Sequence, residues 1–409
     1  MSQQWISEYD AKQLFADYMG QSYDGFTVTN KSDLDRVVWS SSWVIKPDQL
    51  FGGRGKLWLV WVDLDHDQLQ SRLADHMSKQ ISISKHHISI SGKLCQFIVE
   101  PYVSYKSSEY YVCIHACDTY DQISFSIAGG VDIEQQRDQV QAYKISVLDD
   151  GLQLPLEWFE QLDPILVAVI SNHIESLLRF YRARWLVYLE VNPFIIDQNQ
   201  QIVNLDMVAK IDTCQQFNQQ EHRLDINVIR PFGSQYYPQE DVISAIDEKT
   251  GASVKLSILN PQGKIWLILW WGWASIVTID SLVNAWLGHE VANYGDLSGN
   301  PSYDDNKTYL RTIVDMMLCN SAPKQYLCII GWIANFTNIY HLLRPMAELV
   351  QEYADQLKHN NIHIIVRRGG IDDARGLQLI QQACDQYSIP CIVYDGDHYL
   401  TDFISHIEL

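Results

Sequence analysis

Positive charge is scarce in this chain of 409 residues: 30 Lys and Arg stand against 50 Asp and Glu, a formal charge of −20. That balance excludes a general binder of nucleic acid or of anionic membranes, because a phosphate backbone demands clustered Lys and Arg. An anionic ligand must be held here by a few local cations or by backbone N–H donors. Long apolar runs are missing too. The longest, KIWLILWWGWASIV at 264–277, has 14 residues and is too short to cross a bilayer. Met1–Gly20 is polar and acidic and lacks the apolar core of a secretory signal, so a cytoplasmic protein is expected. The eight cysteines include no C-x-x-C pair. Cys113 and Cys117 bracket His115 in an alternating stretch that reads as a strand rather than a metal site. Reduced thiols are expected. Nor is there a Ser–His–Asp order, a nucleophile elbow, an H-E-x-x-H helix or an internal repeat.

What is present is a globular composition, 47% hydrophobic and 20% charged, long enough for two to three domains. The first half mixes elements without regular alternation. Strands are expected at 56–64, 93–103, 109–118 and 123–133, a long amphipathic helix at 164–185, and a strand pair at 186–196 and 201–212. Pro, Gly and polar residues at 229–241 mark a boundary. Beyond it strands at 264–270, 326–331, 362–367 and 390–395 alternate with helices starting near Ile279, near Asn335 and at Gly376. That rhythm predicts a parallel sheet with crossover helices, a doubly wound domain whose ligands sit beyond the strand C-termini. Two places qualify: the turn after Trp270, and Gly331–Thr337.

Four constellations could carry chemistry. VIKPDQLFGGRGK (44–56) sets Lys46 and Arg54 beside a glycine-rich bend, which suits a polyphosphate but reads more readily as a solvated basic turn. YLEVNP and NLDMVAK can bring Asn192 and Asp206 side by side, either as hard oxygen ligands for Mg²⁺ or as a polar strand edge. In GWIANFTN, Asn335 and Thr337 read as helix N-caps or as donors to a carboxylate. VRRGG ends a strand with two arginines, the residue suited to bidentate carboxylate recognition. His86 and His87 read as a solvated face, and DLDHD (63–67) as a charged turn.

Taken in order, the segments KPDQL, RGKL, FIVEPYV, EYYVCI, GGVD, YLEVNP, GASVKLSILNP, ANYGDLSGNPS, IANFTN and VRRGG make the whole chain resemble the ATP-citrate lyase family, as its animal N-terminal half or bacterial small subunit. The resemblance implies an α/β fold: an ATP-grasp domain at 1–235, with a small lobe at about 21–102, then a Rossmann-like, flavodoxin-like ligase domain of the succinyl-CoA synthetase type at 236–409. It implies ATP bound by Lys46, Arg54, Gly55, Pro101, Val103 and Glu109, and Mg²⁺ held by Asn192 and Asp206. Citrate would be surrounded by Ser298, Gly299, Asn335, Phe336, Thr337 and Arg368. None of the 13 histidines matches the family's phosphohistidine, so that residue and the lyase step are expected on a larger partner subunit. ATP, citrate and CoA would be the substrates. Alternative readings are the ATP-grasp subunit of a citryl-CoA synthetase, which stops at the thioester, and a non-catalytic subunit. Succinyl-CoA synthetase β fits less well, because IANFTN and VRRGG match the citrate branch.

One departure from the family pattern recurs. Trp58, Trp61, Trp271, Trp273, Trp286 and Trp332 stand where the family has glycine, whereas Trp266 is the family's own tryptophan. Six such replacements sum to about 6–20 kcal/mol, comparable with the ~5–15 kcal/mol stability of a domain. The citrate motifs beside them are intact. The expectation is that these positions are glycines encoded by UGA; the alternative is a divergent enzyme or pseudoenzyme, in which genuine indoles at 271, 273 and 332 would block the approach to the phosphohistidine and weaken catalysis.

Overall fold

In the first half of the chain, strands alternate apolar and polar residues and pair almost wholly antiparallel. The computed structural model describes residues 3–36, 42–85, 88–105, 108–131, 133, 137–149, 153–212, 214, 231–250 and 253–408. Two compact units divide between Ser234 and Gln235. His86, His87 and Asp132, and with them parts of the predicted motifs, lie outside the described residues, as does 215–230.

The first unit opens with β1 (Gln3–Ile6), α1 (Glu8–Met19), β2 (Phe26–Val28), β3 (Trp43–Pro47), β4 (Trp61–Leu64) and α2 (His66–His76). Next come β5 (Gln80–Lys85), β6 (Ile88–Lys93), β7 (Phe97–Pro101), β8 (Tyr110–Ala116), β9 (Tyr120–Ser126) and β10 (Gln141–Ser146). It closes with α3 (Pro164–Ala183), β11 (Leu186–Ile196), β12 (Ile202–Asn204) and β13 (Met207–Asp212). The larger sheet is ordered β1–β13–β11–β8–β9–β10, with β12 folded back on β11. Its apolar face is covered by Ala11 and Leu14 of α1 and by Ile170, Ile174 and Leu177 of α3, all buried. A second sheet, β2–β7–β3–β4, packs Ile45, Phe97 and Val99 against Leu69 and Leu73 of α2. Asp65 starts α2 through a reciprocal cap with Gln68, so DLDHD is not the expected turn: Asp63 and Leu64 end β4, and His66 and Asp67 open α2 directly after the cap.

Two expectations need correction here. The strand expected at 56–64 begins only at Trp61, because Arg54–Leu59 closes a helical turn: Leu57 N donates to Gly53 O, Trp58 N to Gly55 O and Leu59 N to Arg54 O, each at 3.0 Å. The strand expected at 123–133 stops at Ser126, where Ala128 N donates to the Ser126 hydroxyl at 3.1 Å and the chain turns.

The second unit holds α4 (Pro238–Thr250), β14 (Val254–Ile258), β15 (Ile265–Trp270), α5 (Gly272–Asn284), β16 (Asn293–Leu297) and α6 (Tyr303–Leu318). β17 (Gln325–Asn338), α7 (Ile339–Glu352), α8 (Ala354–His359), β18 (Ile362–Ile371), α9 (Asp373–Tyr387) and β19 (Cys391–Tyr394) complete it. A parallel sheet runs β15–β17–β18–β19, and β14 pairs antiparallel with β16. All six residues of β15 are buried, as a strand covered on both faces requires. Trp266, Ile268 and Trp270 face the core built by α6, α7 and α9; Ile265, Leu267 and Leu269 face Ala274 and Leu282 of α5. The free edge of β15 is satisfied by Asn293, whose amide donates to Leu267 O and accepts from Leu267 N, both at 2.8 Å.

Two helix starts differ from expectation. α5 begins at Gly272, immediately after β15, rather than near Ile279. β17 continues through Asn335 and Thr337, and the cap of α7 is Asn338, which accepts from His341 N at 3.0 Å. The strand can continue because β18 beside it carries Gly369 and Gly370. A Cβ at Gly370 (φ +137) would lie 2.6 Å from Ala334 O, and one at Gly369 2.7 Å from Gly396 Cα.

Candidate functional site

The first unit buries a cluster of three cations and three carboxylates. Glu8 and Lys12 sit four residues apart on the inward face of α1, Lys46 on β3, Arg54 in the glycine-rich turn, Glu100 on β7, and Asp206 just before β13. Glu8 accepts from Lys46 at 2.5 Å, Lys12 at 2.7 Å and Arg54 at 2.8 Å. Glu100 pairs with Lys12 at 2.6 Å and Lys46 at 3.2 Å, and Arg54 reaches Asp206 at 2.6 Å. Both lysines also donate to Leu205 O, Lys46 at 2.6 Å and Lys12 at 3.0 Å. Burial alone would raise the Glu8 carboxyl, but Lys12, Lys46 and Arg54 hold it well below the usual range. Burial also works against the Lys46 charge, and Glu100 and Glu8 overcome it, so Lys46 stays above its ordinary value. Asp48 differs. Burial and the neighbouring charge of Glu8 push it up to about 6, although it accepts from Glu8 N at 2.8 Å and Tyr9 N at 3.2 Å.

Lys46 and Arg54 are therefore not a solvated turn; both are buried and paired. The turn that carries Arg54 also brings Gly55 against Val131, where a Cβ would come within 3.0 Å of its side chain. Gly130 N donates to Asn192 Oδ1 at 2.7 Å, and a Cβ on Gly130 would strike the Glu109 carboxylate. Glu109 itself accepts from Tyr105 OH at 2.6 Å. Asn192 N donates to Asp206 O at 3.0 Å, so the two expected metal ligands are neighbours. An amide oxygen and a carboxylate one-third exposed are donor types Mg²⁺ accepts when phosphates complete its shell; here Asn192 Oδ1 accepts from Gly130 N and Asp206 Oδ1 from Arg54. Pro101 ends β7 opposite Trp43 and Val103 follows it, both half-buried. The sequence reading missed Glu8, Lys12, Asp48 and Glu100. Its available signal was a Glu and a Lys on the same face as Ala11 and Leu14 of a helix that must pack.

In the second unit, one cavity is lined by Ser298, Gly299, Asn335, Phe336, Thr337 and Arg368, together with Trp271 and Trp332. Asn335, Phe336 and Thr337 form a bulge: Ala334 pairs with Gly370 and Asn338 with Ile371, leaving the three residues between them out of the ladder. Arg368 comes from β18, and Gly331 makes room for it, since a Cβ there would lie 2.5 Å from its Nη1. The guanidinium donates to Trp332 O and lies 5.4 Å from the Trp270 ring centroid. Its Nε is buried and has no partner, and no carboxylate among the described residues pairs with it. Burial and the charge of Arg367 bring it down to about 10, which leaves it cationic at neutral pH. Arg367 is spent differently: it donates to Gly331 O at 2.8 Å and His398 O at 2.8 Å, fastening the strand ends. Only one of the two arginines is left for a ligand.

The unusual tryptophans divide. Trp58 (φ 57), Trp271 (φ 84) and Trp286 (φ 63) sit in positive-φ conformations. Trp273 and Trp332 are exposed with ordinary φ, and Trp61 packs 4.4 Å from the His76 ring. Trp271 and Trp332 form cavity wall; Trp273 does not.

Comparison with known proteins matches both units. Residues 2–222 fit the family model described as the ATP-citrate synthase ATP-grasp domain, and residues 234–407 that of the ATP citrate lyase citrate-binding domain. ATP-citrate synthase of Bos taurus is 31% identical over 99% of this chain, which spans 38% of the bovine protein. The ATP-citrate synthase alpha chain protein 2 of Arabidopsis thaliana is 31% identical, covering 98% of this chain and 97% of its own length. Among solved structures, ATP citrate lyase from Methanothrix soehngenii in complex with citrate and coenzyme A superposes with a TM-score of 0.88 at 32% identity, over 99% of both chains.

Proposed function

Since the chain belongs to the ATP-citrate synthase family, we propose that it is the ATP- and citrate-binding part of ATP-citrate lyase, which converts ATP, citrate and CoA to acetyl-CoA, oxaloacetate, ADP and phosphate. The observation that carries this reading is Arg368: a buried, unpaired guanidinium nitrogen in a cavity with Ser298, Asn335 and Thr337. A buried cation without a counter-ion is costly unless an anion completes it, and a planar fork beside hydroxyl and amide groups suits a tricarboxylate.

On this reading the first unit is the ATP-grasp domain, with residues of about 21–102 as its smaller lobe. Lys46 and Arg54 engage the nucleotide phosphates, and Glu8 and Glu100 keep the lysine charged and positioned in the meantime. Asn192 and Asp206 hold Mg²⁺, which offsets phosphate charge during transfer. Glu109, Pro101, Val103 and Gly55 border the nucleotide. The phosphohistidine and the lyase step belong to a larger partner, the portion of the mammalian proteins this chain does not span.

Calorimetric titration with citrate tests the site: the chain should bind it, and Arg368→Gln should abolish binding while leaving the fold intact. Adding the partner then separates the activities. ADP release dependent on citrate and CoA with acetyl-CoA formed supports the lyase, and citryl-CoA as end product supports the synthetase. Citrate binding with no turnover supports a non-catalytic subunit, the reading favoured by indoles in the cavity wall.

A further inference from the structure

Among the described residues, eleven non-glycine residues adopt positive φ, a region that bulky side chains rarely enter. Seven of them are polar: Asp63, Ser78, Gln200, Asn300, Asn361, Asp372 and Ser388. The other four are Trp58, Trp185, Trp271 and Trp286. A few per cent of non-glycine residues show positive φ, so 13 tryptophans should contribute fewer than one.

The hydrogen bonds at these positions specify what the backbone wants. After α5, Trp286 N donates to Val283 O at 3.0 Å and Leu287 N to Leu282 O at 2.9 Å. That crossed pair is the Schellman closure, whose left-handed position is usually glycine. The same chain builds it with glycine at the end of α1, where Gly20 (φ 65) N donates to Asp17 O and Gln21 N to Ala16 O. Trp58 repeats the pattern, with its N–H on Gly55 O and Leu59 N on Arg54 O. Trp185, just past α3, has φ 54 and donates to Arg182 O. Trp271 is the most demanding. Its φ of 84 with ψ of 126 lies outside even the left-handed helical well, in territory that glycine alone enters freely.

Exposure sets these four apart from the buried tryptophans, and positive φ sets them apart from Trp273 and Trp332, which are also exposed. Trp58 and Trp286 are 86% and 87% exposed, Trp185 48% and Trp271 40%, whereas Trp43, Trp158, Trp266 and Trp270 are all at 6% or below. At Trp58 and Trp286 the indole contributes almost no packing to offset backbone strain, and at Trp185 and Trp271 only part of it is covered. The chain is also short of glycine, with 21 in 409 residues against the usual ~7%.

We propose that Trp58, Trp185, Trp271 and Trp286 are glycines in the working protein, encoded by UGA in a cell that decodes UGA as glycine. Trp43, Trp158, Trp266 and Trp270 are true tryptophans encoded by UGG. Trp185 joins the set on geometry alone, independently of any family pattern. At 271 the consequence reaches the cavity, because the indole is part of its wall and glycine there widens the approach to Arg368.

The gene and the native protein decide it. UGA at codons 58, 185, 271 and 286 with UGG at 43, 158, 266 and 270, and peptide masses showing glycine at the first four, are expected. UGG at the four overturns the proposal whatever else is found. A second measurement uses recombinant full-length chain: Trp58→Gly, Trp185→Gly, Trp271→Gly and Trp286→Gly together should raise the thermal midpoint by about 2–4 °C per site. An unchanged or lowered midpoint counts against it. None of these readouts involves a ligand, so their failure is distinct from failure of the citrate reading.

Discussion

Replacing Glu8 by Gln tests whether the buried ionic cluster behaves as one unit. Glu8 is 5% exposed and meets Lys46, Lys12 and Arg54 at 2.5–2.8 Å. At an effective dielectric of about 20, each such contact is worth roughly 6 kcal/mol before desolvation is counted. Desolvation removes most of that, and removing one member of a buried ion pair costs about 3–5 kcal/mol in practice. The variant keeps the shape and one acceptor oxygen but leaves three cations to share Glu100 and Asp206. We expect a loss of about 3–5 kcal/mol in urea unfolding of the full chain, read from a probe in the first unit such as Trp158 fluorescence. The loss should persist at 1 M salt, because buried pairs are poorly screened. The exposed helical pair Arg179–Glu175 is the control, and Glu175→Gln should change stability by about 0.5 kcal/mol or less. A Glu8→Gln loss below about 1 kcal/mol, or one that disappears in salt, would refute the cluster as a buried network.

Three further outcomes follow from single groups. Asp48 is raised to about 6 in the fold, so between about pH 4 and 6 the folded chain binds a proton that the unfolded chain releases, and stability falls as pH rises through that window. Asp48→Asn should lack this slope, worth up to about 3 kcal/mol, in denaturation curves at pH 4 and pH 7. His173 has the opposite sign: burial lowers it to about 4 while its Nε2 meets Asn204 Oδ1 at 2.9 Å, so its contribution is complete above pH 6.5 and is lost as pH falls towards 4. His173→Gln should flatten that acid limb by about 2–3 kcal/mol in the same measurement. Gly370→Ala should cost about 2–3 kcal/mol, since φ is +137 and the new methyl meets Ala334 O at 2.6 Å. It should also weaken citrate binding in calorimetry by displacing the 335–337 bulge.

Much of the architecture can be read from local pattern. The strands β15, β17 and β18 are continuous apolar runs because both faces of a parallel sheet are covered, and α3 shows its buried stripe at helical spacing. The bulge at Asn335–Thr337 cannot be read in this way. Asn-Phe-Thr-Asn has the composition of a helix start, and the outcome is set by Gly369 and Gly370 about 35 positions away, which let a neighbouring strand continue. Glu8 and Lys12 are not legible in the sequence for a related reason. Charged residues are assigned to the surface until a partner of opposite sign is known to be buried with them, and Glu100 lies 88 residues from Lys12. Arg54 reads as part of a solvated turn because its partner, Asp206, is 152 residues distant. Strand and helix identity is a short-range property; the pairing of charges is not.

That pairing distinguishes how the two units hold their cations. In the first, Lys12, Lys46 and Arg54 each already have a carboxylate. An incoming anion there must replace an existing partner, and it gains only the difference between two pairings. In the second, Arg368 has an indole face, a carbonyl and an unpartnered Nε, so an arriving carboxylate gains a whole charge-assisted contact with little to displace. Geometry rather than charge should therefore limit the second site. Arg368→Lys keeps the positive charge but loses the planar fork, and it should bind citrate almost as poorly as Arg368→Gln. If lysine restored most of the affinity, Arg368 would be acting as a point charge, and the unsatisfied Nε would have no part in recognition.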